Sequence, residues 1–285
     1  LKSLAQAKEE EVLKYWQGLG YYSRARNMHF TAKFIYFDLN GSFPNNYNDL
    51  IKLKGIGDYT ASAIASFSFN EKKAVVDGNV YRVLSRFFGV KEDINSKEGK
   101  EIIKDIANQS IPDYEHSTYN QAIMEFGVMV CTPKSPKCNS CNLSEICFAK
   151  KHNLTTSLPL KIRKQKVKTR FFNFIVFHCD NEILLEKRMQ KDIWQHLYQF
   201  PLFETKKEID DPISKFNLKG KLKGKHLKKH VLSHQLIMGT FWLINVADLP
   251  KNDNYIRIHI NDLDNFPVPK IIENYNKENL AFHLE

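Results

Sequence analysis

No run of apolar residues in this chain approaches the roughly 20 residues that cross a bilayer as a helix. The strongest, Phe171 to Phe177, is only strand-sized. The opening residues lack a secretory signal pattern, so the chain is not expected to be secreted. They also lack an initiating methionine: Leu1 falls within what reads as a helix, and a fragment is expected. Repeats and low-complexity segments are absent too. Acidic residues are missing from two blocks, 151–170 and 213–230, each with seven Lys and Arg and no Asp or Glu. Residues 1–150 are by contrast nearly neutral, with 19 basic against 17 acidic side chains, so the net charge of +10 is concentrated further on. Either block alone reads as a solvated face; the two together, beside the motifs described below, predict a polyanionic partner. Cysteine is scarce, five in all, which excludes a disulfide-rich scaffold.

What is present divides the chain. With 42% apolar and 26% charged residues it should fold as a globular protein, and its 285 residues suit two domains. Up to about residue 150 the periodicity is helical. Val80, Val83, Leu84 and Phe87 share one apolar helical face, and Tyr119, Ile123, Phe126 and Val130 another. "LTTSLPLKIRKQKVKTR" has no apolar period and reads as a linker. Beyond it, "RFFNFIVFHCDNEILLEKR" predicts two strands joined by a tight turn at Asp180-Asn181, and "GTFWLINV" and "NYIRIHI" predict further strands. The expected organisation is a mainly α domain over 1–150, a basic linker over 151–170 and a smaller α+β domain over 171–285.

Four of the five cysteines, Cys131, Cys138, Cys141 and Cys147, fall in one short stretch, a clustering that points to metal ligation. Four thiolates suit tetrahedral zinc, although zinc ribbons usually pair two short C-x-x-C knuckles and only Cys138 and Cys141 make one. An iron-sulfur cluster takes the same ligands from more varied spacings. Cys179, alone in a predicted strand, reads as a buried small hydrophobe. "LKGIGDYTASAIASF" places Gly55 and Gly57 before an alanine-rich helix, a tight turn whose N–H groups suit a phosphate. Asp77, in "VVDGNVYRVLSR", precedes an amphipathic helix and reads locally as its N-cap.

These motifs carry a resemblance. The C-x6-C-x2-C-x5-C run and the L-x-G-x-G hairpin resemble the endonuclease III superfamily of helix-hairpin-helix DNA glycosylases. "GLGYYSRARN", the hairpin, "VDGNVYRVLSR" and "YNQAIMEFG" resemble more narrowly the adenine DNA glycosylases of the MutY type, over essentially the whole chain. The implied fold is a helix-hairpin-helix glycosylase domain with a cluster loop, followed by a Nudix-like domain. The implied cofactor is one four-iron four-sulfur cluster on the four clustered cysteines. The implied activity is base excision repair: hydrolysis of the glycosidic bond of adenine opposite 8-oxoguanine or guanine, with double-stranded DNA as partner. Such a protein is expected to act as a monomer without a membrane, in the cytoplasm near the nucleoid if bacterial.

The resemblance also assigns residues. Gly55 and Gly57 would grip the DNA backbone, and Asp77, with Asn79 beside it, would stabilise positive charge on the sugar as the base leaves. Tyr59 stands where lyase members carry a Schiff-base lysine, which implies base removal without strand cleavage. Tyr21 would be a wedge in the base stack and Gln121 a partner of the flipped adenine, while Arg24 and Arg26 are left as phosphate or packing contacts. "WQHLYQFPLFE" resembles the start of a Nudix fold, but no R-E-x-x-E-E helix follows, which implies a recognition module without the pyrophosphatase metal site. Leu232-Ser233-His234 is similar to the family's Phe-Ser-His loop for 8-oxoguanine, with Leu in place of Phe. The family's catalytic glutamate would lie upstream of Leu1, which implies that the fragment is inactive; Glu9, Glu10 and Glu11 do not match its motif. A pyrimidine glycosylase with lyase activity, and a non-catalytic lesion-binding module, are the alternative readings.

Overall fold

The structure, a computed structural model, describes residues 1–162 and 167–280. Its contacts divide the chain into two units, residues 39–164 and residues 1–38 together with 165–285. Among the described residues no helix is long and apolar enough to cross a membrane.

Three helices open the chain: α1 (Lys2–Gln6), α2 (Glu9–Tyr15) and α3 (Tyr22–Lys33). Composition grouped them with the helical domain, whereas their contacts join them to the sheet unit. Val12 and Leu13 of α2 and Tyr22 and Ala25 of α3 are buried in one cluster with Phe172, Phe174 and Phe241. The physical reason is that an apolar stripe specifies burial but not the core that receives it.

Residues 39–164 hold α4 (Tyr47–Leu50), α5 (Asp58–Phe69), α6 (Gly78–Phe88), α7 (Lys97–Ser110), α8 (His116–Met129) and α9 (Phe148–Lys151). Val80 and Leu84 of α6 pack with Ile103 and Ala107 of α7 around Ala74 and Val90. On α6 the expected face is buried at Val80, Val83 and Leu84, with Phe87 half-buried. On α8 the outcome differs. Tyr119, Ile123, Phe126 and Val130 are not buried, and the buried line is His116, Asn120 and Gly127. Asn120 is tolerated there because its amide is fully engaged: Nδ2 donates to Ser66 Oγ and Lys73 O, and Oδ1 accepts from Val75 N. The expected linker also differs in its first part. Lys151 ends α9, Leu158 is buried and Leu160 O accepts from Ile94 N, so residues 151–162 pack on the helical unit. Linker residues 163–166 lie outside the described residues.

The sheet unit contains β1 (Lys168–Cys179), β2 (Glu182–Lys187), β3 (Tyr198–Gln199), β4 (Leu202–Thr205), α10 (Pro212–Phe216), β5 (Lys221–Val231), β6 (Gln235–Asn245), β7 (Tyr255–His259) and α11 (Lys270–Tyr275). The strand order is β3-β2-β1-β6-β5, with β4 paired to β1 and β7 to β2. β1 and β6 run parallel, and the other pairs are antiparallel. Asp180 and Asn181 make the expected turn with positive φ at both positions, the geometry of a two-residue hairpin. Alternation decides the layers. Phe172, Phe174 and Val176 of β1 face one core with Phe241 and Tyr275, while Ile175 and Phe177 face the other with Trp242 and Leu249. Cys179 sits half-buried at the end of β1, with its thiol directed to Ala247 O, because the strand leaves the core there. The second basic block lies largely on β5, an edge strand, where lysines also discourage unwanted strand pairing.

Glu273 on α11 accepts from Lys277, Lys270 and Gln17. Burial alone would raise its pKa, but these bonds outweigh it and hold the carboxyl down to about 2. A depressed carboxylate stabilises the fold above its unfolded value of 4.5, and that contribution is lost as pH falls through the folded value. Glu273→Gln should therefore lower stability at neutral pH. In urea unfolding, the gap from the parent chain should close between about pH 4.5 and about pH 2.

Candidate functional sites

In the helical unit everything is organised by α6. Asp77 is its N-cap: Oδ1 accepts from Asn79 N and Val80 N, each at 2.8 Å, and Oδ2 accepts from Asn79 Nδ2 at 2.7 Å. The expected cap is thus formed, and three donors fix a half-buried carboxylate in one orientation. Asn79 is itself held, since its Oδ1 accepts from Arg82 at 2.9 Å.

Arg82 and Arg86 are the residues that sequence reasoning missed. Both are buried, at 8% and 3% exposure. Arginines one turn apart normally read as a solvated face. Arg82 donates to Cys131 O at 2.7 Å and Gly127 O at 2.6 Å. Arg86 donates to Leu158 O at 2.9 Å, Thr132 O at 2.7 Å, Pro133 O at 2.9 Å and Cys131 Sγ at 3.3 Å. Burial pulls the Arg82 pKa down, and nearby Cys131 and Asp77 oppose that. The only sequence signal was the i, i+4 spacing. The close approach of α8 depends on Gly127, where a Cβ would fall 2.7 Å from Asn79 Cβ.

The four cysteines expected as ligands come together. Cys131, Cys138, Cys141 and Cys147 line one cavity with Arg86 and Lys150. Burial pushes the Cys138 thiol up, Lys150 opposes, and the neighbouring Cys131, Cys147 and Cys141 add to the rise. Among the described residues no three His, Cys, Asp or Glu converge as ligands of a metal ion do. Four soft thiol donors lining one cavity are the donor set that an iron-sulfur group takes.

At the hairpin, Gly55 adopts φ +83, which favours glycine. Gly57 is instead an extended N-cap of α5 with open space at its Cβ position, so the tight turn rests on Gly55 alone. Asp58 in the first turn is partly desolvated, which would raise its pKa, but bonds from Lys104 and Tyr47 bring it below the usual range. Tyr59 is half exposed on α5, and Gln121 is exposed on α8 beside the buried Asn120.

The sheet unit brings together Tyr21 and the loop Leu232-Ser233-His234, which are remote in the chain. They line one pocket of about 490 Å³ with Arg26, Trp194 and Lys270. Leu232 packs against the core, while Ser233 and His234 are exposed at the turn between β5 and β6. The pocket wall at Asp192 is pinned by Arg170 at 2.6 Å and Arg188 at 2.9 Å, both buried guanidiniums. Arg26 donates to Gln195 O at 2.7 Å and so makes a packing contact, whereas Arg24 lies over the rings of Trp16 and Tyr21. Glu9 pairs with His196, and Glu11 accepts from Lys8 N. Glu10 accepts from Lys187 and Tyr198, bonds that lower its pKa and suit a structural carboxylate better than an acid. In place of an acidic Nudix helix the segment after Glu204 forms α10, whose sequence PISKF has no carboxylate.

Residues 1–109 match the HhH-GPD superfamily of base excision DNA repair proteins, and residues 173–278 match the NUDIX domain. A solved thermostable thymine-DNA glycosylase overlaps 53% of this chain and 70% of its own, at 26% identity and a TM-score of 0.49. The two matched regions define the class: a base excision repair DNA glycosylase with a NUDIX-type second domain. The chain is 35% identical over 289 residues to the adenine DNA glycosylase of Buchnera aphidicola subsp. Baizongia pistaciae, covering 98% of this chain and 82% of that protein. It is 38% identical to the enzyme of subsp. Schizaphis graminum, over 72% of this chain and 59% of that protein. It is 40% identical to that of Homo sapiens, over 53% of this chain and 28% of that protein. The chain belongs to the adenine DNA glycosylase family.

Lysine cannot span the three carbonyls that Arg86 bonds, so Arg86→Lys should leave acceptors unpaired at about 1–3 kcal/mol each. Trypsin should then cut after Lys134 and Lys137 faster than in the parent chain, while an unchanged cleavage rate would mean that the loop stands without this guanidinium.

Proposed function

We propose that this chain supplies the sugar-facing carboxylate and the lesion-reading surface of an enzyme that removes adenine mispaired with 8-oxoguanine or guanine in duplex DNA, reading the lesion strand with its NUDIX-type domain. Hydrolysis breaks the bond between adenine and the anomeric carbon, the hydroxyl of water going to the sugar and a proton, delivered by the acid that the family resemblance implies, going to the departing adenine. Positive charge develops on the sugar as the base departs. Asp77 is the observation that carries the reading, because a carboxylate fixed by three donors can stabilise that charge without reorganising. Asn79, held by Arg82, sets its orientation. Tyr59 offers a phenol where a Schiff base would need an amine, so base removal proceeds without lyase chemistry at that position. Gln121, exposed on α8, can present both amide edges to the flipped adenine. The turn at Gly55 and the N-cap at Gly57 direct backbone N–H groups toward a phosphate of the duplex. Tyr21 fills the stack on the lesion strand, and Ser233 and His234 face the base opposite adenine.

Cys131, Cys138, Cys141 and Cys147 would hold a four-iron four-sulfur cluster. When bound, such a cluster ties irregular backbone together through four covalent links.

Asp77→Asn keeps an acceptor for the cap while removing the charge. Measured in protein that also carries the family's catalytic glutamate, single-turnover release of adenine from an A opposite 8-oxoguanine duplex is expected to slow by at least ~10²-fold. A near-normal rate would leave Asp77 only a cap. Purified anaerobically from iron-replete cells, the protein should be brown and carry about four irons, whereas stoichiometric zinc without iron would reverse the cluster assignment.

A further inference from the structure

Resting on the assignment of an iron-sulfur cluster to Cys131, Cys138, Cys141 and Cys147, we propose that the buried guanidinium of Arg86 sets the redox poise of that group, favouring its electron-rich form and so protecting it from oxidative loss. Arg86 meets two of the four sulfurs. Nη1 donates to Cys131 Sγ at 3.3 Å, and the Arg86 carbonyl accepts from Cys147 Sγ at 3.6 Å. Ligation separates these two contacts. A thiol gives up its proton when it binds metal, so Cys147 then has nothing to donate to a carbonyl. A Cys131 thiolate, in contrast, accepts more strongly from a charged N–H than a thiol does. The guanidinium contact is the one that ligation strengthens.

The charge is also fixed in place. Leu158 O, Thr132 O and Pro133 O take the other donors of Arg86, so the guanidinium cannot swing away from the sulfur. Arg82, one turn earlier, bonds Cys131 O, Gly127 O and Asn79 Oδ1, and so adds charge nearby without a bond to sulfur. None of the residues lining the cysteine cavity is acidic, and its charged side chains are Arg86, Lys137 and Lys150. Both lysines are exposed and screened by water and salt, whereas Arg86 is buried. A buried charge acts through an effective dielectric about a quarter that of water, so Arg86 outweighs the lysines. The sign follows from charge. When one electron passes to an acceptor such as ferricyanide, which becomes ferrocyanide, the group counted with its four thiolates becomes less negative. A fixed cation holds the more negative form more tightly and raises the reduction potential, and hydrogen bonds to the sulfurs act in the same direction.

The test is a redox titration of the full chain, purified anaerobically with its iron counted, poised with ferricyanide and ferrocyanide and followed by absorbance. Arg86→Gln removes the charge. At a fixed potential its ratio of oxidised to reduced group should rise about tenfold, which for one electron is a midpoint lower by about 59 mV. Arg86→Lys keeps a charge while giving up the carbonyl bonds, and Lys150→Gln removes an exposed charge; each should move the ratio by less than about threefold. Trypsin should find the loop loosened in both Arg86 variants, yet ferricyanide should release iron faster only from Arg86→Gln. A parent-like ratio in Arg86→Gln, or an equal shift in Arg86→Lys, would overturn the proposal and leave Arg86 a brace, with the cluster assignment intact. If Arg86→Gln does not fold, Arg86→Lys decides alone: a tenfold rise there overturns the proposal, and a ratio near the parent's supports it. Zinc in place of iron in the parent chain would sink the cluster assignment, and the proposal with it.

Discussion

Two guanidinium charges buried in the helical unit are the constraint on which its chemistry depends. A buried charge is tolerated only when its donors are matched by fixed oxygens. Arg82 and Arg86 find those oxygens on Gly127, Cys131, Thr132, Pro133 and Leu158, in the last turn of α8, in the chain that leaves it toward Cys138 and in the segment that follows α9. Irregular backbone of this kind would otherwise carry unsatisfied carbonyls. The same Arg82 holds Asn79, and Asn79 holds Asp77. One helix thus fixes a carboxylate at its N-terminus and a cysteine loop along its flank. Its C-terminus is fixed as well, for Gly89 is left-handed and a Cβ there would strike the Phe148 ring beside Cys147.

The sheet unit solves a different problem. Its central strands β1 and β6 bury both faces, and the period of two sends their alternate residues into two separate cores. At one end of the sheet, the turn between β5 and β6 and the glycine-flanked loop before α3 border one pocket. Buried Arg170 and Arg188 stiffen the pocket wall through Asp192. A NUDIX-type frame without carboxylates on α10 keeps the shape of the fold while giving up the donors that a pyrophosphatase metal site needs.

The sequence by itself determined whatever depends on local periodicity and local chemistry. The Asp77 cap, the Asp180-Asn181 turn, the strands of the sheet and the gathering of four thiols follow from residues close in the chain, where short-range sterics and hydrogen bonding decide the outcome. Family resemblance rested on the same short motifs. Long-range choices were left to the tertiary structure. It decided that α2 and α3 join the sheet core, because an amphipathic stripe does not name its partner. It decided that α8 buries a polar line, because Asn120 found three partners distant in sequence. It also decided that two arginines on α6 lie inside, since only folding supplies the carbonyls that make their burial possible. The meeting of Tyr21 with Ser233 belongs to this second class: a contact across 212 residues is not written in either segment, because neither loop by itself names the other as its partner.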